Sequence, residues 1–161
     1  MPRFNGPTCD HGTVLEIQHS HSTKPSDCLR VCVGMVLQYY GVETIVPDTA
    51  LPMDLISLSH RLNTVTPVDE EGHVLFATVL ELAPEELAVQ LAKKRPLIVV
   101  FRPSAREEYH SVVVSGYWME RGRFYVNDPA RRKPSWKKLS GIPTFVDSGK
   151  YLVLLIGLRE K

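Results

Sequence analysis

Three residues in this chain have the types and the order that acyl-transfer chemistry requires. Cys28 opens the stretch "DCLRVCVGMVLQYYG", residues 27 to 41. The thiolate is the reactive form of cysteine, and a helix N-terminus favours it through its free N–H groups and dipole. His110 opens "HSVVVSGYW", where an imidazole can project at the mouth of a strand. Asp128 closes "RFYVND", which reads as the next strand. If these two strands form a hairpin about Met119 to Gly122, His110 and Asp128 share its open end. A carboxylate there accepts a hydrogen bond from the imidazole and fixes its tautomer. Thiol at a helix start, histidine at a strand start and carboxylate at the end of the following strand make a nucleophile, a base and an orienting acid. Each has a plainer reading as well: cysteines pack as small hydrophobes, junction histidines are often solvated, and Asn-Asp-Pro is turn chemistry.

Positioning those residues falls to the surrounding elements. Leu29, Val33, Val36, Leu37 and Tyr40 recur at helical spacing, with Cys32 and Met35 on the same side. Cys32 therefore reads as a core residue. Ser26 or Asp27 is placed to cap the helix, and Gly41 to end it in a left-handed turn. "PMDLISLSHRLN" (residues 52 to 63) and "APEELAVQLAKKR" (83 to 95) read as further helices. In the latter, acids lead and bases trail, as the macrodipole favours. "TVLEIQ" is a short extended entry and "HVLFATVLEL" is extended at least in its first half. "PLIVVF", "HSVVVSGYW", "RFYVND" and "KYLVLLIGL" read as strands. Helices come early and strands cluster late, which predicts an α+β fold with N-terminal helices packed on a mostly antiparallel sheet.

The chain has 161 residues, 43% hydrophobic and 23% charged, which suits one domain spanning residues 1 to 161. A net charge of +1 excludes a global electrostatic signal for nucleic acid or an anionic membrane. The basic run "ARRKPSWKK" (130 to 138) is local and reads as a solvated loop, with a docking patch for an acidic partner as its other reading. No apolar run is long enough to span a bilayer, and the N-terminus lacks the apolar stretch of a signal peptide. A cytoplasmic location is expected. Three cysteines are an odd number, so free thiols are expected in place of a disulfide framework.

Cys9, His11, His19, His21, Cys28 and Cys32 crowd the first quarter of the chain and raise a zinc reading of the Cys₂His₂ kind. Their spacing matches no standard zinc module, and no metal is assigned.

"DCLRVCVGMVLQYYG", "RPLIVVFRP", "HSVVVSGY" and "VNDPA" together resemble the blocks of the bacteriocin-processing, double-glycine-leader peptidases, in the papain superfamily. The resemblance covers roughly Gln18 to Leu158. It implies a papain-like fold and a cysteine peptidase with nucleophile Cys28, general base His110 and orienting acid Asp128. It implies no cofactor, and a peptide or small-protein substrate with small residues at the bond cut. Two positions depart from the pattern. The glycine that usually follows the nucleophile is Leu29, which narrows the cleft or marks a divergent branch. The oxyanion-hole glutamine expected about six residues before the cysteine is Ser22; Gln18 lies four residues further back, within reach if the loop between is looped out. A binding module without cleavage, and acyl transfer to an amine through the same thioester, are the alternatives.

Overall fold

The computed structural model describes residues 13–24, 27–42, 55–63, 67–102, 109–138, 141–142 and 149–160. Its elements are β1 (Thr13–Val14), α1 (Cys28–Tyr39), α2 (Leu55–Leu62), β2 (His73–Leu82), α3 (Pro84–Ala92), β3 (Leu97–Phe101), β4 (His110–Trp118), β5 (Arg123–Asn127), β6 (Ser135–Lys138) and β7 (Tyr151–Glu160). The long strands form one antiparallel sheet in the order β2-β7-β3-β4-β5-β6, so the fold is α+β as expected. The last strand lies inside the sheet, between β2 and β3. Strand β1 pairs with Gly116 and Tyr117 of β4, beyond the point where β3 stops at Val114.

Period-2 alternation along the apolar strands builds a core on each face of this sheet. Ile98, Val113, Leu154 and Ile156 meet α1 and α2 through Val33, Val36 and Leu58. Val99, Val112, Val153 and Leu155 meet α3 through Leu87 and Leu91. The helices thus divide between two faces, where the sequence pattern suggests one helical layer. Periodicity reports that a helix has an apolar side, and carries no information on which face of the sheet it covers.

Helix α1 starts at Cys28, and Gly41 adopts φ 76°, the left-handed stop expected of it. The start differs in detail. Asp27 makes no side-chain capping bond; its carboxylate pairs with Arg30 at 3.3 Å. Ser26, the other candidate cap, lies outside the described residues. Helix α3 ends at Ala92, so Lys93 and Lys94 fall after its last turn, and Lys94 itself sits at φ 62°. Strand β2 is extended over its whole length and forms a ten-residue ladder with β7.

The basic run is the clearest departure from the sequence reading. Its second half forms β6, paired with Arg123 to Val126. Trp136 lies opposite Tyr125 with ring centroids 5.0 Å apart, and 5.6 Å from the Trp118 ring. A cross-strand aromatic pair supplies the packing that holds lysine-rich sequence in an edge strand.

Leu154 is fully buried in the interior strand β7, with Ile98 opposite it in β3 and Val79 in β2. Leu154→Ala should cost about 3 kcal/mol, the usual loss for a core leucine whose cavity does not collapse. Chemical denaturation would show it as a lower midpoint with an unchanged slope.

Candidate active site

The β4–β5 hairpin determines where His110 and Asp128 sit. The last pair of its ladder is Val113↔Asn127. Continued by one step, Asp128 would oppose Val112, two residues from His110 along the same side of β4. His110 and Asp128 are therefore diagonal neighbours at the open end, within reach of each other's side chains. The His110 Nε2–H donates to Asp128 Oδ1 at 2.8 Å. The same oxygen accepts the Ala130 N–H at 2.9 Å, and the Arg131 N–H closes the turn on the Asp128 carbonyl at 2.9 Å. Asp128 is at once the turn residue and the imidazole's partner. A centroid distance of 5.5 Å to Phe101, its cross-strand neighbour, shows that His110 is also braced edge-on by that ring.

The His110 side chain and the backbone of Ser111 and Leu29 lie close enough to the Cys28 thiol to stabilise its charged form. With Nε2 committed to Asp128, the imidazole nitrogen left for sulfur is Nδ1. Burial pushes the thiol's pKa up, but His110 and the backbone outweigh it and hold the pKa below the ordinary 9.0. His110 is raised to about 9 by its hydrogen bond to Asp128 and by Cys28, against burial. Burial also pushes Asp128 up, yet His110 and the Ala130 N–H hold it below its ordinary value. Cys32 behaves in the opposite way: fully buried one turn deeper, it is pushed well above the ordinary thiol range by burial and by the Cys28 and Asp128 charges. One helix thus carries one ionisable thiol and one inert one.

A cavity of about 320 Å³ adjoins the cluster. Its walls are the strap His21 to Lys24 on one side and Pro129 and Ala130 on the other, together with Cys28 and His110. Leu29 is absent from these walls: it is buried in the core with α1's apolar side, so it does not narrow the cavity.

Gln18 is not brought to this site. Its Oε1 accepts a hydrogen bond from Gln38 Nε2 at 2.8 Å, near the far end of α1, and it does not line the cavity. The reason is the strap. The Leu15 N–H donates to Ser115 O at 2.7 Å, which commits the chain before Gln18 to the side of β4. The Ser20 N–H then reaches Met35 Sδ at 3.3 Å, and the Ser22 N–H reaches Pro129 O at 2.9 Å. Fastened at these points, the strap leaves Gln18 beside Gln38 and outside the cavity lining.

Two residues that matter to the site were read otherwise in the sequence. Asn127, within the turn-forming Asn-Asp-Pro sequence, is 1% exposed. Its Oδ1 accepts from Ser115 Oγ at 2.7 Å and its Nδ2 donates to His19 Nδ1 at 3.3 Å. His19 Nε2 donates to Arg131 O at 2.7 Å. His19, considered above as a zinc ligand, instead ties the strap to the turn that carries Asp128. Among the described residues no group of three His, Cys, Asp or Glu side chains is placed to hold a metal ion; Cys9 and His11 lie outside them. Nor is any helix among them long and apolar enough to cross a membrane.

A family model described as the Peptidase_C39 like family matches residues 14–148. No curated protein matches the chain by sequence. Among solved structures, a double glycine motif protease from an AMS/PCAT transporter, in complex with the leader peptide, aligns with a TM-score of 0.56 at 16% identity, over 92% of this chain and 94% of its own. The peptidase domain of Streptococcus ComA, a bi-functional ABC transporter involved in a quorum-sensing pathway, aligns with a TM-score of 0.51 at 10% identity, over 91% of this chain and 100% of its own. At these identities the two structures share the fold with this chain.

The raised pKa of His110 makes a direct prediction. In the folded protein its ring should stay protonated as pH rises past 6.5 and titrate near 9. Asp128→Asn removes the carboxylate that heads the causes of this shift, so the midpoint should fall. NMR titration of the histidine ring protons reads both values.

Proposed function

This chain belongs to the Peptidase_C39 like family, and from that premise we propose that it is a papain-like cysteine peptidase acting through Cys28, His110 and Asp128. The observation that carries the reading is the His110–Asp128 hydrogen bond, on an imidazole that lowers the pKa of the Cys28 thiol beside a cavity. Cys28 and His110 rest as a thiolate–imidazolium pair. The sulfur attacks a peptide carbonyl, and negative charge develops on its oxygen. The Cys28 backbone N–H, in the first turn of α1 where amides lack intrahelical partners, is the donor assigned to that oxygen. As the C–N bond breaks, His110 gives its proton to the leaving amine. It then takes a proton from water, which attacks the thioester, releases the acid and restores the thiolate–imidazolium pair. Asp128 holds the ring so that Nδ1 faces sulfur throughout. The chemistry uses no cofactor.

The proposed substrate is a peptide or small protein with an extended segment of small residues at the bond cut. The proposed setting is the cytoplasm, where a free thiol persists, and residues 1 to 161 are taken as one peptidase domain.

Glycine-containing test peptides, with products followed by mass spectrometry, check the reading. Cys28→Ala should abolish cleavage. Asp128→Asn should keep the turn, because the amide oxygen still accepts the Ala130 N–H, and lower turnover on the order of 10–100-fold while the melting temperature stays near wild type. Unchanged activity in the folded Asp128→Asn protein would leave only Cys28 and His110 in the site. Activity should fall on the alkaline side as His110 loses its proton near 9, and on the acid side as the thiolate is protonated.

A further inference from the structure

The basic run joins the cavity to a feature that the peptidase chemistry does not use. Pro129 and Ala130 line one wall, and the next three residues, Arg131, Arg132 and Lys133, are all exposed. The opposite wall ends in Lys24, also exposed. The two segments are fastened side by side, by the Ser22 N–H on Pro129 O at 2.9 Å and by His19 Nε2 on Arg131 O at 2.7 Å. The ion pairs of Asp27 with Arg30, and of His73 and His110 with their carboxylates, do not engage Lys24, Arg131, Arg132 or Lys133. Two acids of the described residues flank these segments, and both are already committed. Asp27 faces Arg30, and Asp128 is bound by His110 and Ala130. Lys137, further along the same basic run, contributes to holding Asp128 in its charged form, so the run's field reaches into the site. With a net charge of only +1 on the whole chain, this gathering of cations is local to the cavity mouth.

We propose that Lys24 and the Arg131–Lys133 turn form a cationic rim that selects peptides carrying acidic side chains next to the bond at Cys28. This specificity rests on the peptidase reading above. Like charges on two adjoining segments repel, and an anionic peptide lying between them relieves that repulsion. Exposed charge pairs are individually weak, so the preference comes from several acting together and amounts to about tenfold. It fades with salt, since the screening length is about 10 Å at 0.1 M.

The test uses the Cys28→Ala protein, which leaves peptides intact, and two dansyl-labelled glycine-rich peptides that differ only in glutamate against glutamine. Fluorescence anisotropy at low salt should give the glutamate peptide about tenfold tighter binding. The advantage should disappear at high salt and in the added substitutions Lys24→Gln and Arg131→Gln, each checked for an unchanged melting temperature. Equal binding of the two peptides overturns the proposal, as does an advantage that survives both substitutions. Tighter binding of a mixed-sequence RNA than of the glutamate peptide overturns it too, and assigns the rim to a nucleic acid. Cleavage by the wild-type protein separates this inference from its premise. Equal binding and equal cleavage of both peptides remove the rim and leave the peptidase. Charge-dependent binding with no cleavage of either keeps the rim and removes the peptidase.

Discussion

The hydrogen bond between His110 and Asp128 is the contact on which the rest of the site depends, and it exists because of the β4–β5 register. The two residues lie 18 apart in sequence, and only one alignment of the hairpin makes them diagonal neighbours. A slip by one residue would send one of them to the other side of the sheet. An irregularity between Val114 and Gly116 shifts the pairing, so that Gly116 meets Tyr125 while Val114 meets Val126. Ser115 is the extra residue, and it has its own use: its hydroxyl donates to the buried Asn127 amide. The bulge therefore does two things. It sets the register that brings Asp128 to His110, and it anchors the residue immediately before Asp128.

From that contact the electrostatics of α1 follow. Two thiols one turn apart share a helix and a sequence neighbourhood, yet their proton affinities are displaced in opposite directions. Proximity to the helix N-terminus alone does not account for the difference. Cys28 is itself buried, and burial disfavours its thiolate. The balance tips because His110, held charged by Asp128, and the backbone of Ser111 and Leu29 all favour the thiolate. Cys32 has burial without those partners, and the nearby negative charges of Cys28 and Asp128 add to the penalty.

Local patterns made much of this legible in the sequence. The extent of α1 and its glycine stop, the β4–β5 hairpin and the proximity of His110 to Asp128 all follow from periodicity and turn chemistry within about twenty residues. What escaped depends on contacts between distant segments. The insertion of β7 between β2 and β3, and the placing of α3 on the opposite face, are choices among pairings that every apolar strand or helix could make. Strand β6 escaped because its lysines mask the one aromatic residue, Trp136, that fastens it to Tyr125. Asn127 and His19 escaped because a polar side chain in a turn-forming sequence has an ordinary local explanation. Their mutual bond spans 108 residues. Gln18 was misplaced for the complementary reason: spacing from Cys28 says nothing of the tethers to Ser115, Met35 and Pro129 that direct the chain between.

The central claim is that His110 lowers the pH at which Cys28 becomes a thiolate, below that of an ordinary thiol. The most direct measurement is the rate of iodoacetamide alkylation at Cys28 as a function of pH, followed by peptide mass spectrometry in the wild-type and His110→Ala proteins. The account predicts that wild-type Cys28 reacts with a midpoint below the ordinary 9.0, while Cys32 stays unmodified in the folded protein. It also predicts that His110→Ala moves the Cys28 midpoint upward, because burial is then opposed by the backbone alone. Coincident profiles in the two proteins, both rising only near the ordinary thiol value, would contradict it.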